Sequence, residues 1–121
     1  MNAHILVTIM LCTLQCEPTE VRIWDGDTFR IGSRSGEAVR IFNIDAPEIA
    51  GKCRYETDLA QRSKQRLASI LQSGKVEIQR QDTDRYGRTL ATVRVKGRDA
   101  GDTLVKEGLA RIWSGRREPW C

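Results

Sequence analysis

Residues 21–44, VRIWDGDTFRIGSRSGEAVRIFNI, carry the pattern that decides the fold. Their apolar positions fall into short runs rich in β-branched and aromatic side chains, cut by Asp25-Gly26 and by Gly32-Ser33-Arg34-Ser35-Gly36. Runs of this kind, each bounded by turn residues, predict three antiparallel strands. The third, residues 39–44, is apolar on both faces and belongs at the centre of a sheet. Arg40 sits inside it, and a guanidinium there needs an anionic partner.

Towards the C-terminus, a loop over residues 47–54 leads to residues 58–71, which lack Gly and Pro and carry Leu59, Leu67, Ile70 and Leu71 near helical spacing, with Gly74 as a stop. This predicts one amphipathic helix. Alternation resumes at Val76-Glu77-Ile78 and over residues 90–95, giving strands four and five on either side of a polar loop, residues 81–87. Lys96-Gly97 then turns the chain into a short helix over residues 100–107, ended by Gly108, and residues 109–113 run extended. The tail, residues 114–121, is basic and closes on Pro119-Trp120-Cys121; Arg116 and Arg117 read as solvated tail charges. Three strands, a helix, two strands and a trailing short helix form the order of a five-stranded OB-fold barrel, mainly β with helices (α+β). Fold alone assigns no function.

Towards the N-terminus, residues 5–14 are apolar enough for the core of a signal peptide, yet nothing basic precedes them and no small-x-small site comes before Glu17. A helix spanning a bilayer needs about 20 apolar residues, so no membrane partner is expected. The expected division is a signal or hydrophobic segment over residues 1–16 and one domain over residues 17–121. With 121 residues, 40% apolar and 30% charged, there is a core for one domain and no room for a second. Twenty Lys and Arg against 16 Asp and Glu give a net charge of +4, which favours an anionic partner. Single His4 and four scattered cysteines do not make a structural zinc site. Cys53 and Cys121 suggest a staple on the tail in an oxidising compartment; unpaired thiols, or pairs involving Cys16, are the alternatives.

Three segments carry chemistry. Asp25-Gly26-Asp27-Thr28 has the form of a tight turn, but its second carboxylate is free to leave the turn and face a site. Ile44-Asp45-Ala46-Pro47-Glu48 places two more carboxylates at a strand exit downstream of Arg40. Asp84-Arg85-Tyr86-Gly87-Arg88 is a turn-like loop rich in guanidinium groups. A hard divalent ion prefers carboxylate and carbonyl oxygen, and arginine forks suit phosphate oxygens.

In this order, over residues 21–113, the three segments with Arg40 resemble the thermonuclease (staphylococcal-nuclease-like) family. The resemblance implies one calcium ion held by Asp27, Asp45 and the main-chain carbonyl of Ala46. It implies Glu48 as general base, with Arg40 and Arg88 on the phosphate. Tyr86 and Trp113 are expected substrate contacts, because any base offers a face for stacking, and Arg85 is expected on a neighbouring phosphate. The loop after Glu48 is short for the family, and no long C-terminal helix of the kind some members carry follows; a Cys53–Cys121 bond would partly offset that loss. The expected function is a calcium-dependent endonuclease acting on DNA and RNA, single-stranded or unpaired, with little sequence preference, as an extracytoplasmic monomer. A catalytically silent OB module binding oligonucleotides or proteins is the alternative, but such a module has no use for Glu48, Arg40 and Arg88 beside two carboxylates.

Overall fold

The computed structural model describes residues 4–121. The described residues form β1 (Ile5–Cys12), β2 (Cys16–Ile23), β3 (Thr28–Ile31), β4 (Ala38–Ile41), β5 (Ile44–Asp45), α1 (Arg54–Gln72), β6 (Lys75–Thr83), β7 (Thr89–Val95), β8 (Arg98–Asp99), α2 (Ala100–Lys106) and β9 (Arg111–Ile112). Along the main sheet the order is β4-β3-β2-β1-β6-β7-β8, and β4 also pairs with β7, so the sheet closes into a barrel. The mixed, mainly β barrel read from the sequence is therefore the fold observed.

The strand count differs, and the reason lies in the N-terminal segment. Rather than a separate hydrophobic leader, β1 is a barrel strand, inserted between β2 and β6: antiparallel to the first from Ile5↔Ile23 to Cys12↔Cys16, parallel to the second at Met10↔Lys75. Six strands rather than five thus close the ring. Ile5, Val7, Ile9 and Leu11 alternate into the core, while Leu6 and Met10 point outward and remain 49% and 38% exposed. Apolar residues on the outer face concealed the period of two. Residues 1–3 of the expected leader lie outside the described residues.

Inside the barrel Val21, Ile23, Phe29, Val39, Ile41 and Val93 are fully buried. Helix α1 packs its Leu67 and Leu71 against this core, touching β1, β2, β6 and α2. It begins at Arg54, four residues before the expected start, because its first turn is defined by polar contacts rather than apolar spacing. Glu56 is buried there and accepts the Glu48 and Lys52 amides at 3.1 and 3.0 Å, tying down the loop before the helix.

Strand pairing sets the site. In register, Thr28 lies opposite Arg40, and Arg40 opposite Leu90. The β2–β3 turn, the exit of β4 and the β6–β7 loop therefore meet at one rim of the barrel. The tail returns to the same region. Cys121 is bonded to Cys53 just before α1, with Cα atoms 6.0 Å apart, and Cys12 is bonded to Cys16 across the β1–β2 hairpin. Trp120 is buried with the Arg111 guanidinium 3.7 Å from its ring centre, and Arg111 also donates to the Pro119 carbonyl at 2.8 Å. Among the described residues no helix is long and apolar enough to cross a membrane.

Candidate active site

Asp25 shapes the first segment. Its Oδ1 accepts the Asp27 amide at 3.0 Å, closing a turn in which Gly26 leans on α1. A Cβ on Gly26 would fall 1.8 Å from Ser63 Oγ, so only glycine fits. Asp27 then leaves the turn: its Oδ1 accepts the Thr28 hydroxyl at 2.8 Å and its Oδ2 the Ala46 amide at 2.9 Å. The two acidic segments, 19 residues apart in sequence, are thereby one unit.

Arg40 reaches across them. Its Nη1 donates to the Ile44 carbonyl at 3.0 Å, and its Nη2 lies 3.5 Å from Asp27 and 3.8 Å from Asp45. The anionic partner required by a guanidinium in the third strand of the sequence is this carboxylate pair. The Arg40 guanidinium also lies 5.6 Å from the centre of the Trp113 ring. Asp45 is held by the β5–β9 pairing with Arg111. Burial raises its carboxyl above the ordinary range against the pull of Arg117 and Arg40, and burial likewise raises Glu48. Asp25 is pushed up to about 9, first by burial and then by the neighbouring Asp27 charge.

On the opposite wall Asp84 organises the third segment. It accepts the Tyr86 and Arg88 amides, both at 2.9 Å, and the Arg88 Nε at 2.7 Å. Arg85 donates to the Tyr86 hydroxyl at 2.9 Å, and the Arg85 and Arg88 guanidinium groups lie 5.1 and 5.6 Å from that ring. Asp27, Arg40, Glu48, Arg85, Tyr86, Arg88 and Trp113 all line one open cavity of about 1010 Å³. Asp45 and Ala46 lie buried behind that wall.

Comparison with known proteins adds the lineage. The sequence model of the staphylococcal nuclease homologue family matches residues 38–119, well over half of the chain. The chain belongs to the staphylococcal nuclease homologue family. It is 37% identical over 99 residues to the SPbeta prophage-derived endonuclease YokF of Bacillus subtilis (strain 168), covering 75% of this chain and 32% of that protein. The micrococcal nuclease of Shigella flexneri is 40% identical over 74 residues, 60% of this chain and 39% of the relative. For the thermonuclease of Staphylococcus hyicus the figures are 32% over 96 residues, 75% and 56%. The chain thus spans from 32% to 56% of the length of these relatives.

For a staphylococcal nuclease homologue, two features of this site were hidden in the sequence. Arg117 is not a solvated tail charge: it lies 2.7 Å from Asp45 Oδ1, 3.1 Å from Glu48 Oε1 and 3.6 Å from Glu56 Oε2, and its Nη2 is 3.4 Å from the Ala46 carbonyl. Its neighbour Arg116 does behave as expected, exposed and paired with Glu118 at 3.1 Å. Glu56 is the second, placed by α1 beneath the Glu48 loop. Neither has periodicity or a motif to announce it; only the two cysteines hinted that the tail folds back.

Among the described residues no group of three or more His, Cys, Asp or Glu side chains is arranged as a ready metal site. The donor chemistry nevertheless fits a hard cation. Asp45 Oδ1 and the Ala46 carbonyl already converge on one positive group, Arg117, and the Asp27 carboxylate is fixed beside them through the Ala46 amide. Two carboxylates and a carbonyl fall short of the roughly six to eight oxygens calcium takes, leaving room for water and phosphate oxygen.

Proposed function

We propose that this cavity is the active site of an endonuclease that hydrolyses phosphodiester bonds of DNA and RNA with little sequence specificity. The observation that carries the reading is the convergence of Glu48, Arg40 and Arg88 on one open cavity beside the tied pair Asp27 and Asp45. Arg40 and Arg88 would donate to the non-bridging phosphate oxygens, whose charge grows as phosphorus becomes five-coordinate, so they hold the transition state more tightly than the ground state. Glu48 takes one proton from the attacking water. The water oxygen bonds to phosphorus, one ester P–O bond breaks, and the leaving oxygen takes up a proton from solvent.

A calcium ion held by Asp27, Asp45 and the Ala46 carbonyl would supply Lewis-acid stabilisation of the phosphoryl group. Burial keeps Glu48 above the ordinary carboxylate range, which suits a proton acceptor near neutral pH. Contacts to phosphate rather than to base edges account for the low sequence preference. Tyr86 and Trp113, 70% and 39% exposed, offer ring faces to bases that are free of a partner strand, which favours single-stranded or unpaired substrate, with Arg85 on a flanking phosphate. Two disulfides fit an extracytoplasmic compartment. The catalytic unit is one chain, a monomer, because every group invoked comes from it.

The test is cleavage of single-stranded DNA and of RNA with calcium or with chelator, alongside Glu48→Gln. Cleavage that needs the ion and falls at least a hundredfold in the variant supports the reading. Full activity in chelator, or an unaffected variant, contradicts it.

A further inference from the structure

Arg117 touches three carboxylates and one carbonyl of the site and has no part in the mechanism above. Two of the oxygens on it, Asp45 Oδ1 and the Ala46 carbonyl, belong to the donor set assigned to the divalent ion. The other two, on Glu48 and Glu56, flank that set. A guanidinium does not arrive there by accident of a loose tail. Four residues on, Cys121 is bonded to Cys53, and the residue before it, Trp120, is buried beneath Arg111. The adjacent Arg116 is 81% exposed and stays with Glu118. The anchored tail therefore delivers one positive charge, and only one, to the carboxylate cluster.

We infer that Arg117 is a resident counter-cation of the ion site, which a divalent ion must displace from Asp45 and Ala46, so that this side chain sets the ion affinity. The inference rests on the metal-dependent reading above. Two cations cannot share the same oxygens without strong repulsion. Arg117 neutralises part of a cluster in which Asp27, Asp45 and Glu56 are buried and Glu48 is half-exposed, and whose other cations are Arg40 and, behind Asp25, the buried Lys64. At 41% exposed, its side chain has open solvent into which it can swing when the ion arrives. The ion gains its ligands only after breaking the Arg117 contacts, and that cost weakens binding.

Calcium titration by calorimetry on the oxidised protein, at fixed pH and ionic strength, separates the possibilities. Arg117→Gln is expected to bind calcium about tenfold more tightly than wild type, or better. Arg116→Gln is expected to match wild type. Arg117→Lys retains the charge and is expected within about threefold of wild type. Wild-type binding with Arg117→Gln equal or weaker overturns the inference and leaves the metal-dependent reading standing. Tightening by Arg116→Gln or Arg117→Lys as large as that of Arg117→Gln also overturns it. Absence of calcium binding in wild type and Arg117→Gln alike overturns both readings.

Discussion

Breaking the bond between Cys53 and Cys121 is expected to cost far more stability than breaking the one between Cys12 and Cys16. The bonds close chain separations of 68 and 4 residues. A chain-entropy estimate assigns the larger loop about 4 kcal/mol at 25 °C and the smaller about 2 kcal/mol. For a domain of this size 4 kcal/mol corresponds to roughly 15 °C in Tm. Packing points the same way: Cys121 anchors Trp120, which is buried against Arg111, whereas the Cys12–Cys16 hairpin ends in Leu14, which is fully exposed. The assay compares wild type, Cys53→Ser/Cys121→Ser and Cys12→Ser/Cys16→Ser by urea unfolding at equilibrium. Chelator is present throughout, so that ion binding adds nothing to the folded state. Losses of equal size, or a loss below about 1 kcal/mol for the Cys53/Cys121 variant, would refute the reasoning. The second outcome would mean that the tail gains nothing from its tether.

Gly26→Ala places a methyl against Ser63 and is expected to destabilise the fold by about 1–3 kcal/mol and to shift the Asp27 turn; thermal unfolding within experimental error of wild type would contradict the close approach. Arg88→Gly is expected to lower kcat about 10³-fold or more while KM changes little, and a loss confined to KM would remove Arg88 from the transition state. Glu37 gives a pH signature. Arg80 grips its two oxygens at 2.6 and 2.8 Å and Thr89 adds a hydrogen bond at 2.7 Å, which together hold its carboxyl below the ordinary value of 4.5. Because the folded value is the lower one, the stabilisation is present above about pH 4.5 and is lost as pH falls through the folded value. The stability gap between wild type and Glu37→Gln should therefore be full near neutral pH and shrink in acid; a gap that widens in acid contradicts the sign.

The barrel was legible because its strands alternate within short runs between Gly-rich turns, and because residues 58–71 carry helical spacing free of breakers. What escaped was β1. A strand whose outward positions, Leu6 and Met10, are also apolar looks like a continuous hydrophobic segment, and only its pairing with β2 and β6 distinguishes the two. The site was legible where charge and structure conflict. A guanidinium in a doubly apolar strand demanded carboxylates nearby, and Asp27 and Asp45 are within 3.8 Å of Arg40. Arg117 raised no such conflict: a basic residue in a polar tail is ordinary until the Cys53–Cys121 bond returns it to the rim. Glu56 likewise looked like a common acidic residue near a helix start, although its carboxylate fixes the backbone that carries Glu48.

Hydrolysis of a short single-stranded oligonucleotide in ¹⁸O-labelled water, followed by mass spectrometry of the phosphate-bearing product, tests the central claim most directly. Attack of a Glu48-activated water on phosphorus predicts one ¹⁸O in each new phosphate end, formed with calcium and nearly absent with Glu48→Gln. Product without ¹⁸O, or intact oligonucleotide under every condition, would contradict the assignment of this cavity to phosphodiester hydrolysis.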